Sequence, residues 1–501
     1  MSITGLGSIT AANIQAVTNM NNQLDQLSEE LGTGQAAQTY SGLGSQAGLA
    51  LSLSAQLAAI NGYSSTATTV GTTLSIAQSA LTGISSSAAA MQQSLEQPGA
   101  FTLDSSGQTQ AQAGAASELD QVISLLNTQV GNNYIFSGSA VNQPSVASTN
   151  EILNGNGAQA GLTQLIAARQ QADLGVGGLG RLSLATAAST VTVSQDGSPF
   201  GFQLTGVNSS LTGATVSGPS GAPPSISVTI GATPPNDGDT IQFDVTLPDG
   251  SSQTITLTAT NASPPGANQF TIGATAGATA TSLQAALTSA VSNLAQTALP
   301  AASAITAAND FFNSDPPQIV AGPPYDTSMS VVSGTPANTV FWYTGENGAT
   351  PALQTATALV GPSTTVAYGM RANEPAISNI LANVAALAAT TFSASDPNAQ
   401  ASYDALSQDV QANLTAQSGM QSVADIQADL ANAQTAIKNA TSLNTQTQTT
   451  LTDMLQGIEG INQDQIGEQI LALQNSLSAS MSVTARLSQL SLVNYLAPVT
   501  G

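Results

Sequence analysis

The sequence predicts a mainly α-helical protein with a β insertion. Its frame is a long antiparallel coiled-coil helical hairpin, built from both ends of the chain and carrying a central β-rich domain. Three observations predict it. Residues 46–95 carry apolar or small side chains in alternating steps of three and four, and residues 423–461 repeat that spacing near the other end. Between them, residues 183–270 change to period two with turn residues between the runs.

The chain divides on this pattern into six stretches: 1–34, 35–145, 146–335, 336–400, 401–462 and 463–501. The first is a short outer helix with Val17, Met20, Leu24, Leu27 and Leu31 on one stripe, stopped by Gly32-Thr33-Gly34. A Gly- and Ser-rich joint around Tyr40 and Leu43 follows. The long seam then runs through Leu49, Leu53, Ile60, Tyr63, Ala67, Val70, Leu74, Ala77, Leu81, Ile84, Ala88, Met91 and Leu95. A repeat averaging about 3.5 residues keeps one helical stripe facing a partner over many turns. About 50 residues at about 1.5 Å each make a rod of roughly 75 Å, too long for the core of a compact domain. Pro98-Gly99 ends it, and a third helix is expected over 109–130, before Asn133-Tyr134-Ile135-Phe136-Ser137-Gly138.

The β-rich insertion, 146–335, is clearest where Ile241, Phe243, Val245 and Leu247 alternate, Pro248-Asp249-Gly250-Ser251 turns the chain, and Ile255, Leu257 and Ala259 return. Helices are expected over 282–299 and 301–312. The return segment, 336–400, holds a strand-like run, Val340-Phe341-Trp342-Tyr343, and a helix with Ile377, Leu381, Val384 and Leu387. The C-terminal half of the rod, 401–462, offers Val423, Ile426, Leu430, Ala433, Ile437, Leu451 and Met454. Residues 46–95 are expected to pack mostly on residues 423–461 within one chain, with Leu74, Leu81, Ile84, Leu430, Ile437 and Leu451 as rod core. The last stretch is an amphipathic helix with Ile470, Leu473, Leu477, Leu487, Leu490 and Leu496.

Composition excludes several functions. Of 501 residues 41% are hydrophobic and only 7% charged, with 5 Lys and Arg against 28 Asp and Glu. A net charge of −23 with cations scattered singly cannot grip a phosphate backbone, so no nucleic acid is expected. There is no His and no Cys. This removes Ser–His and Cys–His dyads, the usual zinc and iron ligands and disulfides, and no enzymatic activity, cofactor or metal is expected. Asp237-Gly238-Asp239 reads as a hairpin loop rather than a calcium site, since a full ligand set is lacking. No apolar run approaches the ~20 residues of a membrane helix, and the first residues lack a Sec-type signal, so no membrane insertion is expected. Trp342 and Tyr343 read as buried anchors.

The terminal helices, the Leu31-Gly32-Thr33-Gly34 break and Asn133-Tyr134-Ile135-Phe136-Ser137-Gly138 resemble the bacterial flagellin superfamily. Within it the chain is most similar to the hook–filament junction (hook-associated) proteins. That likeness rests on the segment Val366-Ala367-Tyr368-Gly369-Met370-Arg371-Ala372-Asn373-Glu374-Pro375 and the ending Leu490-Ser491-Leu492-Val493-Asn494-Tyr495-Leu496. The joint departs from the family pattern: Gln35 stands where a basic residue is common. The resemblance implies a flagellin-like fold, location in the extracellular flagellum, and export by the flagellar type III apparatus. It also implies three kinds of partner: copies of itself, other flagellar axial proteins (hook, hook-associated proteins, flagellin) and a cytoplasmic export chaperone. A filament-forming flagellin is the first alternative, and a secreted adhesin or surface-layer protein the second.

Physical reasoning gives the outer helices their role. Little else near them in sequence is amphipathic, so their stripes are expected to find partners only in neighbouring subunits, with folding and assembly as one event. Val17, Met20, Leu24, Leu27, Leu31, Ile470, Leu473, Leu477, Leu487, Leu490 and Leu496 are the expected subunit interface.

Overall fold

The structure is a computed structural model that describes residues 3–96, 101–104, 107–415 and 419–495. It opens with α1 (Ile3–Thr33), and a 3-10 turn at Tyr40–Gln46 leads into α2 (Ala47–Leu95). Gly34 ends α1 at φ +73°, a conformation that glycine reaches without strain. α3 (Gln110–Leu126) begins at a capping box, in which Thr109 and Gln112 each satisfy the other's backbone N–H. The Gln112 amide also donates to the carbonyls of Leu387 and Thr390. A tight hairpin, β1 (Gln129–Val130) and β2 (Asn133–Tyr134), then turns the chain.

α4 (Thr149–Asn154) and α5 (Leu162–Leu174) follow. The next strands are β3 (Leu182–Ala187), β4 (Thr190–Gln195), β5 (Gln203–Ser209), β6 (Ala214–Ser220), β7 (Ser225–Ile230), β8 (Thr240–Thr246), β9 (Ser252–Thr260) and β10 (Gln269–Thr271). α6 (Ala276–Gln296) and α7 (Ala298–Phe312) come next, then β11 (Gln318–Val320) and β12 (Val331–Ser333). β13 (Thr357–Gly361), β14 (Thr364–Ala367), α8 (Pro375–Ala389), α9 (Ala399–Leu414), α10 (Val423–Glu459) and α11 (Gln463–Tyr495) complete the chain. Long helices at both ends and a β-rich centre give the mixed architecture of a flagellin-like chain.

Two compact units emerge. The first takes its described residues from Met1–Val70, Ala358–Val366 and Thr435–Gly501. In it α1 lies along α11, and α2 up to Val70 packs on α10 from Thr435. Leu53, Ile60 and Leu451 form a buried cluster with Leu57, Tyr63, Leu455 and Ile458 around it. The two breaks in these helices are latched together: Ala36 N donates to Glu459 O at 2.7 Å beside an antiparallel bridge of Gln35 with Gly460. The buried Asn444 amide holds the β13–β14 ribbon by donating to Val360 O at 2.8 Å.

The second unit, drawn from Gly71–Thr357 and Ala367–Gln434, contains everything else. Leu74, Leu81, Ile84 and Leu430 are buried there, and Gln427 reaches Thr82 while Gln434 reaches Ser75, so these helix segments run antiparallel. Gly83 permits close approach of α3, since a Cβ there would meet Leu125 Cδ1 at 2.7 Å. Its β module pairs two four-stranded sheets, ordered β3-β4-β7-β6 and β10-β9-β8-β5. All pairings are antiparallel except β10 on β9. Val193, Ile226, Phe243, Leu257 and Phe270 point inward and α6 closes the core with Leu283, Leu287 and Val291. α7 and α8 are apolar nearly all round and correspondingly buried among α3, α5 and α9.

Several expectations are corrected. The third helix stops at Leu126 because the β1–β2 hairpin takes the residues up to Tyr134. Val340–Tyr343 forms no strand; only isolated bridges, such as Val146 with Tyr343, tie it down. The seam is carried by Ala50 rather than Leu49, which is exposed, and Met454 is likewise outside it. One stretch, Tyr40–Leu95, is long and apolar enough to cross a membrane by length and composition alone. Its Ala and Leu content raises hydropathy without a continuous apolar run.

Candidate self-assembly surface

α1 and α11 place the expected interface residues. Val17, Met20, Leu24 and Leu27 are half-buried on α1, and Ile470, Leu473, Leu477 and Leu487 are half-buried on α11. Leu27 and Leu473 line one groove, with Gln23, Gln26, Gln469 and Ser476 on its walls. Leu31, at 37% exposure, follows one turn later on α1, just before the break. Leu490 lies in α11 with its side chain outside the described set, and Leu496 lies outside the described residues.

One expectation is overturned here: the two outer stripes have a partner within their own chain, namely each other. Sequence distance concealed this, because α1 and α11 stand at opposite ends of the chain. The partnership is incomplete. Among the described residues no side chain of α1 or α11 is buried. Ile14 is 57% exposed and Leu471 63%, with Met481 and Val483 exposed further along α11.

Local chemistry does little to hold these helices by itself. α1 ends on Glu29 and Glu30 with no basic residue in its last turn, against the sense of the helix dipole. Glu29 and Glu30 instead accept from the Gln38 and Gln26 amides, at 2.7 and 3.0 Å. α11 starts better: Asn462 Oδ1 accepts from the backbone N–H groups of Asp464 and Gln465 at 3.1 and 3.3 Å. Helices of 31 and 33 residues with only a half-buried stripe depend on further packing for their stability.

Elsewhere the charged groups are spent on structure. Arg169 is buried between Asp173, at 2.9 Å, and Asp310, at 3.0 Å, with its guanidinium over the Phe200 ring. Arg181 pairs with Asp196 at 2.9 Å and donates to Ala172 O and Ser328 O. Arg371 pairs with Glu346. The Arg169–Asp173 spacing of four residues on a helix is the sequence signal for the first of these clusters, hidden when the cations are read as scattered singly. Asp237 and Asp239 accept from the backbone N–H groups of Asn261, Thr212 and Asn236, the work of a loop. Among the described residues no group of acidic side chains is placed to hold a metal ion.

Fold and surface together define a chain whose two terminal helices pair and leave apolar side chains open. Residues 8–141 match the family model of the bacterial flagellin N-terminal helical region, which spans most of α1, the joint, α2, α3 and the β1–β2 hairpin. This match supports the bacterial flagellin superfamily for the chain. No curated protein matches it.

Proposed function

We propose that the protein is a structural, non-enzymatic subunit of the bacterial flagellum that self-assembles through its terminal helices and contributes to motility. The flagellin-type N-terminal region supports the family, and one observation carries the mechanism: no described side chain of α1 or α11 is buried within the chain. In the assembled state the α1–α11 pair packs beside the same pair of neighbouring copies, as the tip of a long antiparallel coiled-coil hairpin. Val17, Met20, Leu24, Leu27, Leu31, Ile470, Leu473, Leu477, Leu487, Leu490 and Leu496 are the residues assigned to that packing. Fully burying one Leu or Ile contributes about 1.5–3 kcal/mol, so half-buried positions along two helices supply enough to order the ends. Heterologous contacts of this kind build a ring or a helical tube.

The place we assign it is the hook–filament junction, on the likeness of Val366–Pro375 and of the stretch from Leu490 to junction proteins. In this reading the chain leaves the cell by the flagellar export apparatus, escorted by a chaperone, and meets hook, hook-associated proteins and flagellin outside. Immunogold electron microscopy of intact flagella tests it. Label confined to the hook tip is expected; label along the whole shaft makes the protein a filament subunit, and label on the cell wall removes it from the flagellum.

A further inference from the structure

The second unit holds an open cleft of about 390 Å³, within the range of roughly 300–1,000 Å³ typical of small-molecule sites. Phe341, Trp342 and Tyr343 contribute to its lining. These rings are fixed in place. Trp342, itself buried at 3% exposure, donates Nε1–H to Phe312 O at 3.2 Å and lies tilted against the Phe312 ring at 5.2 Å, while the Tyr343 hydroxyl donates to Glu346 O at 3.0 Å. The same lining carries amides and a carboxylate. Asn373 donates to Asn347 Oδ1 at 3.0 Å, Asn347 donates to Asp315, and Asn313 Oδ1 accepts from Ser378 at 2.6 Å. An asparagine has two donors and a two-lone-pair acceptor, and a carboxylate about four acceptor sites, so these bonds orient the groups and leave capacity for a ligand.

The chemistry selects the ligand. Among the described residues no Lys or Arg lines the cleft and Asp315 does, which disfavours phosphates and carboxylates. A purely apolar ligand would strip water from the amides without replacing their hydrogen bonds. A molecule with an apolar C–H face and a hydroxylated rim satisfies both kinds of lining, the half-buried Phe341 and Tyr343 rings taking the face and the amides the rim. A second cleft of about 630 Å³ shares Phe341 and adds the amides of Asn127, Gln143, Asn156 and Gln159. We propose that the Phe341–Tyr343 cleft binds a neutral saccharide, with Asn347, Asn373 and Asp315 holding its hydroxyl groups. This activity is separate from assembly and does not rest on the flagellar reading.

Trp342 is the single tryptophan of the chain, so fluorescence excited selectively in tryptophan, clear of the 8 tyrosines, reports this cleft. The full-length protein is titrated with glucose, galactose, mannose, N-acetylglucosamine, lactose and cellobiose, with saturation-transfer NMR in parallel. At least one sugar is expected to shift the emission saturably with Kd near ~1 mM. Asn347→Ala and Asn373→Ala are each expected to weaken it at least tenfold with unchanged circular dichroism. The proposal is overturned if no sugar gives either signal, if both variants bind as the parent does, or if glucose 6-phosphate binds more tightly than glucose.

Discussion

The terminal helix pair and the β module solve the same problem in opposite ways. Phe243 and Phe270 sit in the β module at 2% and 0% exposure, enclosed by two sheets and α6. α1 and α11 are each longer than any strand or helix of that module, yet bury none of their described side chains. Length therefore does not measure self-sufficiency. A layer closed on both sides completes its core within one chain, while two helices side by side complete only half of one. What is left open is a surface that another copy can cover.

Removing residues 463–501 is the most severe way to break that contrast. Assembly is expected to be lost entirely, and the protein to remain a monomer by analytical ultracentrifugation, with the β module's hydrogen-exchange protection unchanged. Protection lost from β8 and β9 as well would show that the module leans on the helices. The converse change is Phe243→Ala, which opens a cavity between the sheets and is expected to cost about 3–5 kcal/mol. Chemical denaturation followed by the exchange of β7, β8 and β9 measures it. The α1–α11 pair should be unaffected, and a matching loss of helicity there would erase the distinction.

Sequence made one of these regions more legible than the other. The β8–β9 hairpin was readable residue by residue, because Ile241, Phe243 and Val245 face inward alternately and Pro248-Asp249-Gly250-Ser251 supplies the turn. The buried faces of α2 and α10 were readable too, since a stripe is a local signal. α5 was missed: Leu162, Leu165, Ile166, Ala168 and Ala172 are buried together with Arg169 and Asp173, so no polar face marks its period. Val340–Tyr343 has strand composition, but its partners come one residue at a time from Ala160 and Val146, contacts that no local pattern encodes. The α1–α11 pairing joins opposite ends of the chain, and only the three-dimensional structure reveals it.

Single substitutions on the open face sharpen the contrast at lower cost. Leu471→Ser and Met481→Ser alter residues already exposed in the chain, so monomer stability should change by less than about 0.5 kcal/mol. If these side chains become buried between copies, each substitution weakens assembly by about 1.5–3 kcal/mol, seen as a roughly tenfold or larger rise in critical concentration. Unaltered assembly would place the contact on another face of α11.

The smallest expected effect separates the regions by pH. Asp409 on α9 has its carboxyl pushed up to about 7, first by burial and then by the neighbouring Asp249 charge. Its unfolded value is near ~3.9. Between these limits the folded state holds a proton that the unfolded chain has released, so unfolding free energy falls as pH rises. The penalty is absent below pH ~4 and complete above pH ~7. At Asp196 burial pushes upward, but the Ser198 hydroxyl and N–H and the Arg181 guanidinium outweigh it and hold the carboxyl low. That contribution is present above pH ~4 and is lost in stronger acid. The second unit should therefore be most stable in mild acid, between the two limbs. Asp409→Asn removes the upper limb and is expected to raise stability at pH 8 by about 1–2 kcal/mol, discounted for partial exposure, with little change at pH 4. Urea melts at both pH values measure this, and equal gains at the two would mean that Asp409 is an ordinary surface carboxylate.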